Sequence, residues 1–225
     1  MYKYLLFDLD DTILDFEKTE NNAIKRVLKK FGIEPSDEAT DIYHEINAKG
    51  WQKCEKGELS KAELFATRFD KFFKEIGVTA DGKLAEESFE EYLKEGVYFM
   101  PEAKRVLKRL YKDYNLILVS NGIAKTQEIR LKNAKIKKYF KGIFVSGDIG
   151  FSKPDKNFFD YVLYKMKIEN KEECLIIGNG IYSDVVGGKN SGIDTCWYNF
   201  RDEEPDKNIK PTYVINSLEE IVDLL

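Results

Sequence analysis

A length of 225 residues with 43% hydrophobic side chains supports a packed core in one large domain, or in a domain with a smaller companion. The formal net charge is -4, and no basic block is present that would follow a nucleic-acid backbone. The longest apolar runs, such as Tyr114–Val119, are too short to cross a bilayer, and the first run, Tyr4–Phe7, leads into acidic residues instead of forming a secretory signal. We therefore expect neither a nucleic-acid polymer nor a membrane among the partners.

The cysteine and histidine content argues against several further classes of functional site. Cys54, Cys174 and Cys196 form no C-x-x-C pair, and the last two lie in apolar runs where a reduced thiol behaves as a small core side chain, so a cytoplasmic location is expected. The single histidine, His44, lies in a helical pattern without clustered thiols, which argues against zinc sites and histidine-based triads. Carboxylates and lysines must then carry any catalysis.

In chain order, the predicted elements begin with a buried strand at Tyr4–Phe7. The stretch from Phe16 to Gly96 then contains several amphipathic helices and no convincing strand, and Ser60 and Glu63 form a capping box before one of these helices. Beyond this stretch, short apolar runs typical of buried strands recur at Leu116–Val119, Ile143–Val145, Cys174–Ile177 and Thr195–Tyr198.

Helical patterns separate most of these strands, and the last helix is predicted to start at a capping box of Ser217 and Glu220 and to end at Leu225. Strands that alternate with helices predict an α/β fold, with a Rossmann-like parallel sheet and helices on both of its faces. An all-helical unit interrupts this core directly after the first strand. We therefore assign residues 1–15 and 97–225 to the α/β core and residues 16–96 to an inserted helical domain.

Two acids, Asp8 and Asp10, stand at the end of the first strand, in the run Phe7-Asp8-Leu9-Asp10-Asp11-Thr12. Ligands of a parallel sheet bind beyond the carboxyl ends of its strands, and alternate residues there can point into the same crevice. Like charges held this close repel, so a bound cation is the natural way to keep them together. An acidic turn that ends the strand is the alternative interpretation.

Polar residues also follow the later strands. Ser120 and Asn121 come after the second strand, where a hydroxyl and an amide suit phosphate oxygens, and Lys153 follows the third. Asn179 and Asp184 follow the fourth. Taken singly, each residue is ordinary turn, cap or solvated-surface material. Their order at four successive strand ends is what indicates a single site.

This order of signals resembles the haloacid dehalogenase-like (HAD) superfamily over essentially the whole chain, and the helical insert resembles the first-type cap of that superfamily. Longer runs are similar to its pyrimidine 5'-nucleotidase branch, among them Leu5–Phe16, Phe144–Ser146 and Gly192–Trp197. The resemblance implies a phosphate-ester hydrolase with Mg²⁺ as its cofactor. It also implies a small-molecule phosphate ester as the partner, here a pyrimidine nucleoside monophosphate, and we expect a monomer or a weak homodimer.

The same resemblance assigns a role to each candidate residue. Asp8 is expected to attack phosphorus and form an aspartyl-phosphate, while Asp10 protonates the leaving oxygen and later deprotonates the attacking water. The side chains expected to hold the phosphoryl oxygens are Ser120, Asn121 and Lys153. The expected magnesium ligands are Asp8, Asp10 through its backbone carbonyl, Asn179 and Asp184. An acid at position 10 also favours phosphate-ester hydrolysis over dehalogenation, since halide leaves without a proton.

Two adjacent positions depart from the family pattern. The fourth motif usually begins with glycine and aspartate, whereas Gly178 is followed here by Asn179, and Gly180 replaces the usual small polar residue. An asparagine oxygen can still ligate a hard cation but brings no negative charge, so weaker magnesium binding is expected. A phosphoryl-binding protein with weakened catalysis therefore stays open, as do a phosphatase for other small phosphate esters and a sugar-phosphate mutase.

The sequence contains two weaker functional signals. The Gly178-x-Gly180 spacing after a strand approaches a dinucleotide fingerprint, but Ser183 replaces the third glycine and the loop is not in the first βαβ unit, which argues against a NAD-dependent oxidoreductase. In the helical insert, Phe16 and Trp51 are candidate substrate contacts, although aromatic stripes at helical spacing are usually core.

Overall fold

Six short apolar strands form one parallel sheet in the computed structural model, which describes residues 1–204 and 206–225. The strands are β1 (Tyr4–Phe7), β2 (Asn115–Ser120), β3 (Phe140–Val145), β4 (Cys174–Gly178), β5 (Asp194–Tyr198) and β6 (Tyr213–Ile215). Their order across the sheet is β3-β2-β1-β4-β5-β6, and every neighbouring pair is parallel. The α/β class that the sequence predicts is confirmed.

The centre of the sheet is the point at which the strand order reverses. β1 pairs with β2 on one side and with β4 on the other, so that Phe7 lies between Leu118 and Ile177. A reversal of this kind opens a crevice beyond the carboxyl ends of the strands. The residues that directly follow β1, β2 and β4 therefore meet at one edge of the sheet.

Residues 16–96 form a separate unit of helices. They are α1 (Phe16–Lys30), α2 (Asp37–Glu55), α3 (Lys61–Glu75) and α4 (Gly82–Glu95). The capping box predicted before α3 is present, because the Glu63 amide donates to Ser60 Oγ (3.1 Å) and the Ser60 amide donates to Glu63 Oε2 (2.9 Å). The unit has an aromatic core whose central rings, with centroids 4.9 to 6.2 Å apart, are Tyr43, Phe69, Phe72 and Phe89.

A line of polar side chains crosses the interior of this helical unit. Arg68, only 2% exposed, donates to both carboxylate oxygens of Glu86 (2.6 and 2.5 Å) and to Asn47 Oδ1 (2.8 Å). Asn47 donates to Glu20 Oε1 (2.5 Å), and His44 Nδ1 lies 2.6 Å from Glu20 Oε2. Because a buried charge is tolerated only when it is paired, these contacts explain how Arg68 is accommodated inside an aromatic core.

The helices of the larger unit, residues 1–15 and 97–225, cover both faces of the sheet. They are α5 (Ala103–Leu110), α6 (Ala124–Ala134), α7 (Ser146–Ile149), α8 (Lys156–Met166), α9 (Gly187–Ser191) and α10 (Glu220–Leu224). Alternate residues of β1 serve opposite faces, since Leu5 belongs to one core cluster with Leu107 while Leu6 belongs to a second with Phe158. Burial of both faces is the reason that the central strands β1, β2 and β4 are nearly continuous apolar runs.

The last helix is shorter than the sequence predicts. The Ser217 amide donates to Glu220 Oε1 (2.7 Å), as in a capping box, but Ser217 Oγ accepts from the Glu219 amide (3.3 Å) and not from the Glu220 amide. The chain therefore makes a turn after Ser217, and α10 begins at Glu220.

The three cysteines are free thiols, and Cys174 and Cys196 are buried. Burial raises the pKa of both of these thiols to about 12, so they stay neutral and pack as small apolar side chains. No helix among the described residues is long and apolar enough to cross a membrane.

Candidate active site

An ammonium group between two carboxylates forms the centre of the candidate active site. Lys153 Nζ donates to Asp8 Oδ1 (2.7 Å), to Asp184 Oδ1 (2.6 Å) and to the carbonyl oxygen of Val119 (3.1 Å). The side chains of Lys153 and Asp184 are each 1% exposed, and that of Asp8 is 12% exposed. The structure thus brings together Asp8, Lys153 and Asp184, which the sequence predicts to share one site.

Local backbone contacts place Asp8 and Lys153. The Asp8 amide donates to the carbonyl oxygen of Ile177 (2.9 Å), which continues the pairing of β1 with β4 to the candidate nucleophile. Lys153 lies between α7 and α8, and its bond to Pro154 is cis. Asn121 holds the Lys153 backbone, because its Nδ2 donates to the Lys153 carbonyl oxygen (2.8 Å) and its Oδ1 accepts from the Lys153 amide (2.9 Å). The Asn121 side chain therefore links the end of β2 to the loop that carries the lysine.

The loop after β4 supplies Asp184 and Asn179. Asp184 lies in a π-helical turn, Ile181–Val186, a geometry often found at functional sites, and its Oδ2 accepts from the Gly180 amide (3.0 Å). The Asn179 amide donates to Thr12 Oγ1 (3.1 Å), and Thr12 Oγ1 donates to Asn179 Oδ1 (3.2 Å). This pair of hydrogen bonds holds the loop against the turn that follows β1.

The charges in the centre of the site depend on one another. Burial raises the pKa of Asp8 to about 8, and the charges of Asp184 and Asp10 add to the shift while Lys153 opposes it. Burial alone would lower the pKa of Lys153, but Asp184 and Asp8 outweigh it, so the pKa of Lys153 is raised. The lysine is therefore a permanent cation at neutral pH, and its two carboxylate partners compete for it.

Asp10 contacts two residues, Gln127 and Arg130, that are not among those predicted from the sequence. Gln127 Nε2 donates to Asp10 Oδ2 (2.5 Å), and Arg130 forms an ion pair with Asp10 Oδ1. Both residues lie on α6 and are only 2% and 1% exposed. Two polar residues at helical spacing on the buried face of the helix that follows Ser120 are the sequence signal by which they could be found.

Ser120 ends β2 and is 1% exposed. Its Oγ accepts from the Gly122 amide (3.2 Å) and from Gln127 Nε2 (3.1 Å). Because both contacts use the oxygen as an acceptor, the hydroxyl hydrogen remains for a further acceptor.

The sequence matches one family model over most of its length. This model describes haloacid dehalogenase-like hydrolases and matches residues 5–198. The chain belongs to the haloacid dehalogenase-like hydrolase family. The matched range contains every residue of the site described above, from Asp8 to Asp184, and the predicted family is confirmed.

Several relatives of this HAD hydrolase align along the whole chain. YfnB from Bacillus subtilis (strain 168), which carries the name of a HAD-hydrolase, is 38% identical over 225 residues, covering 100% of this chain and 95% of its own. Pyrimidine 5'-nucleotidase PynA from Streptococcus pneumoniae (strain ATCC BAA-255 / R6) is 35% identical, with 100% and 95% covered. Pyrimidine 5'-nucleotidase YjjG from Escherichia coli (strain K12) is 27% identical, with 100% and 98% covered.

A solved structure of a relative supports the same assignment. The crystal structure of YfnB from Bacillus subtilis superposes with a TM-score of 0.96 at 38% identity, covering 100% of this chain and 98% of that one. That structure is described as bound to magnesium and as revealing interdomain movement.

The oxygen donors of this HAD site suit Mg²⁺. The donors predicted as ligands are the carboxylates of Asp8 and Asp184, which both accept from Lys153, the amide oxygen of Asn179 and the backbone carbonyl of Asp10. Mg²⁺ prefers hard oxygen ligands and commonly needs only one or two carboxylates besides water and phosphate. Within residues 1–204 and 206–225, no group of three or more His, Cys, Asp or Glu side chains is arranged to hold a metal ion. An ion would therefore depend on the asparagine and the backbone as well as on the two carboxylates.

The two aromatic residues predicted as substrate contacts lie in the helical unit. Phe16 is the first residue of α1 and, partly buried, packs against the core of that unit. Trp51 lies in α2, edge-on to Phe65 with ring centroids 5.9 Å apart, and Lys61 Nζ lies 5.7 Å from its ring centroid. Each residue has packing partners inside its own unit, and a role for either in substrate binding stays a prediction.

Proposed function

We propose that this HAD hydrolase is a magnesium-dependent phosphomonoesterase that acts through an aspartyl-phosphate on pyrimidine nucleoside 5'-monophosphates. The observation that carries the proposal is the buried ammonium of Lys153, which donates to Asp8, directly after β1, and to Asp184, in the turn after β4. A fixed positive charge beside a carboxylate suits a reaction in which that carboxylate attacks a phosphate dianion.

Asp8 is the nucleophile of the proposed reaction. Its Oδ1 accepts from Lys153, and Oδ2 receives no hydrogen bond from the described part of the chain, so Oδ2 is the oxygen available to attack phosphorus. A bond forms between Oδ2 and phosphorus while the bond from phosphorus to the ester oxygen breaks. Water then attacks the same phosphorus, and inorganic phosphate leaves Asp8 as a free carboxylate. A covalent intermediate of this kind divides one difficult displacement into two easier ones.

Asp10 transfers the proton in both steps. Its side chain is 26% exposed, so a substrate in the crevice can reach it. In the first step the Asp10 carboxyl gives its proton to the departing ester oxygen, and in the second the carboxylate takes a proton from the attacking water.

The residues proposed to hold the phosphoryl oxygens are Ser120, Asn121 and Lys153. Lys153 contributes its charge, and the remaining hydrogen of the Ser120 hydroxyl can point to a phosphoryl oxygen. Asn121 also acts indirectly, since it holds the backbone of Lys153. Mg²⁺, held by Asp8, the Asp10 carbonyl, Asn179 and Asp184, would supply further positive charge against the phosphate.

The substrate class rests on relatives whose names state their activity. PynA and YjjG are both named pyrimidine 5'-nucleotidases, and each aligns along the entire chain. The proposal assigns base selection to the helical unit, with Phe16 and Trp51 as the candidate contacts. A second candidate, a phosphoryl-binding protein without turnover, is favoured by the neutral Asn179 at a position of the expected metal site.

Phosphate release from a panel of esters tests the proposal. The panel contains uridine and cytidine 5'-monophosphates, adenosine and guanosine 5'-monophosphates, a sugar phosphate and p-nitrophenyl phosphate, each with MgCl₂ and with EDTA. We expect release from the two pyrimidine nucleotides in MgCl₂, none in EDTA, and none from the Asp8→Asn protein. Asp160→Asn, at an exposed ion pair of α8, is the control that keeps activity. Binding without release would favour the second candidate, and equal release from all esters would refute the nucleotidase assignment.

A further inference from the structure

A network of hydrogen bonds leads from α6 to the Asp10 carboxylate. Gln127 Nε2 donates to Asp10 Oδ2 (2.5 Å) and to Ser120 Oγ (3.1 Å), while Gln127 Oε1 accepts from Arg130 Nη1 (2.8 Å). Arg130 Nη1 also reaches Asp10 Oδ1. Each oxygen of the Asp10 carboxylate is therefore held by a different donor of the same helix.

The network allows only one orientation of the Gln127 amide. If the amide were reversed, Oε1 would face the Asp10 carboxylate and Nε2 would face the Arg130 guanidinium, which pairs like with like. The amide is thus fixed from both sides, and it in turn joins Asp10 to Ser120. The proposed proton donor and the proposed phosphate contact are held by one side chain.

Gln127 and Arg130 are buried too deeply to touch a substrate. They are 2% and 1% exposed, whereas the Asp10 side chain between them and the crevice is 26% exposed. Burying a guanidinium is costly unless it is paired, and Arg130 forms an ion pair with the carboxylate of Asp10. Such a costly arrangement around a partly exposed acid indicates that its orientation matters for function.

We infer that Gln127 and Arg130 are positioning residues, which hold the Asp10 carboxyl in the orientation that transfers a proton to the leaving oxygen and later takes one from water. The inference rests on the proposed phosphatase function. Gln127 and Arg130 both donate hydrogen bonds to Asp10, and each Asp10 oxygen keeps a further lone pair. The carboxyl group can therefore bind or release the transferred proton while both hydrogen bonds remain. Without them, the carboxyl would rotate among several orientations, and few of these would face the ester oxygen.

A comparison of two esters with different leaving groups distinguishes a positioning role of Gln127 and Arg130 from a general structural role. A nucleoside 5'-alkoxide must be protonated as it departs, whereas p-nitrophenolate leaves without a proton. A positioning defect at Asp10 should therefore slow the first turnover of uridine 5'-monophosphate and spare the first turnover of p-nitrophenyl phosphate. The second step needs Asp10 as a base for either ester, so the aspartyl-phosphate should accumulate.

The experiment compares the wild-type chain with Arg130→Met, Arg130→Lys and Gln127→Leu in MgCl₂, by rapid mixing with each ester. For Arg130→Met we expect the first turnover of uridine 5'-monophosphate to fall by about 100-fold, the lower end of general-acid contributions. With p-nitrophenyl phosphate the same protein should give a burst of p-nitrophenolate close to the wild-type rate, followed by slow turnover. Arg130→Lys, which keeps a charged donor, should recover part of the loss.

A control variant and a second test variant complete the design. Lys132→Met changes an exposed residue of the same helix and should behave as wild type with both esters. Gln127→Leu removes no charge, and it decides the matter if Arg130→Met does not fold, as judged by circular dichroism and thermal unfolding. The Gln127→Leu protein should show the same difference between the two esters, with a smaller loss of the first-turnover rate.

The possible failures are distinguishable. Equal losses with both esters, or no loss with either, would overturn the positioning role while the wild-type chain remains a phosphatase. A wild-type chain that releases phosphate from neither ester would instead overturn the proposed function, and the inference with it.

Discussion

The ammonium of Lys153 lies 2.7 Å from Asp8 Oδ1, with the lysine almost completely buried. The same ammonium lies 2.6 Å from Asp184 Oδ1. One cation thus stabilises two carboxylates that burial alone would disfavour, and removal of the lysine leaves both without their cation. The stability of the protein and its proposed chemistry therefore depend on the same three side chains.

Substitution of Lys153 should affect both properties. Lys153→Met leaves the carboxyl groups of Asp8 and Asp184 buried without their cation, so we expect the free energy of unfolding to fall by about 3–5 kcal/mol. Phosphate release should fall by about 100- to 1000-fold, the effect of losing one charge-stabilising donor. Urea unfolding and a phosphate assay measure the two effects. The control is Lys156→Met, at an exposed ion pair with Asp160, for which a change within about 0.5 kcal/mol is expected. Equal stability losses in the two variants would contradict the prediction.

The stability of the metal-free protein should depend on pH through Asp8. Its pKa is raised to about 8, mainly by burial, whereas an aspartate in the unfolded chain titrates near pH 4. Between about pH 4 and pH 8 the folded protein therefore holds a proton on Asp8 that the unfolded chain has released. This proton binding contributes stability that is fully present below about pH 4 and is lost as the pH rises to about 8. Because asparagine does not ionise, the melting temperature of Asp8→Asn in EDTA should exceed that of wild type by an amount that grows from pH 5 to pH 8.

Asp160→Asn serves as the reference for this pH series. A hydrogen bond from Lys156 lowers the pKa of Asp160, so this carboxylate is ionised in both states over the same range. Its difference from wild type should stay constant from pH 5 to pH 8. An Asp8→Asn difference that is also constant would show that Asp8 has no raised pKa.

Asn179 should limit the affinity for magnesium. The Asn179→Asp protein gains a negative charge at a position where the side-chain oxygen already accepts from Thr12 and the backbone carbonyl accepts from Trp197 Nε1 (2.9 Å), so the loop should keep its geometry. We expect half-maximal turnover at a lower magnesium concentration, measured by titration of the metal-free protein. Thr12→Ser, which keeps the hydroxyl, should leave the magnesium dependence near that of wild type. An unchanged dependence in Asn179→Asp would refute Asn179 as a ligand.

The helical unit contains a comparable buried ion pair. Arg68→Met leaves Glu86 without its partner inside an aromatic core, and a loss of about 3–5 kcal/mol of stability is expected. Arg26→Met breaks an exposed pair with Glu95 instead, where at most about 1 kcal/mol is expected. Chemical unfolding followed by circular dichroism gives both values. Similar values for the two variants would show that burial of Arg68 carries no energetic weight.

The sequence reveals those parts of the site that lie on the segments following the strands. Asp8, Lys153 and Asp184 could be predicted together because a parallel sheet brings the carboxyl ends of its strands to one edge. The contact of Gln127 and Arg130 with Asp10 could not be predicted, since it is made from the interior of a helix across 117 and 120 residues of chain. Local sequence contains the helical spacing of these two residues but not the identity of their distant partner.

The hydrogen bonds of the Asn121 side chain cannot be predicted from the sequence for a similar reason. An asparagine after a strand suggests a phosphate contact, but its hydrogen bonds to the backbone of Lys153 depend on how two loops approach each other. The length of the last helix is also not predicted correctly, because a serine and a glutamate three residues apart, here Ser217 and Glu220, fit a turn as well as the start of a helix.

Detection of the phosphorylated residue tests the central claim most directly. The wild-type chain is mixed with substrate and MgCl₂, quenched in acid within the first turnover, digested and examined by mass spectrometry. The account predicts a phosphoryl group on the Asp8 carboxylate, at a higher level in Arg130→Met with p-nitrophenyl phosphate and absent from Asp8→Asn. Phosphate bound to Asp10 or Asp184, or turnover without any phosphorylated aspartate, would contradict it.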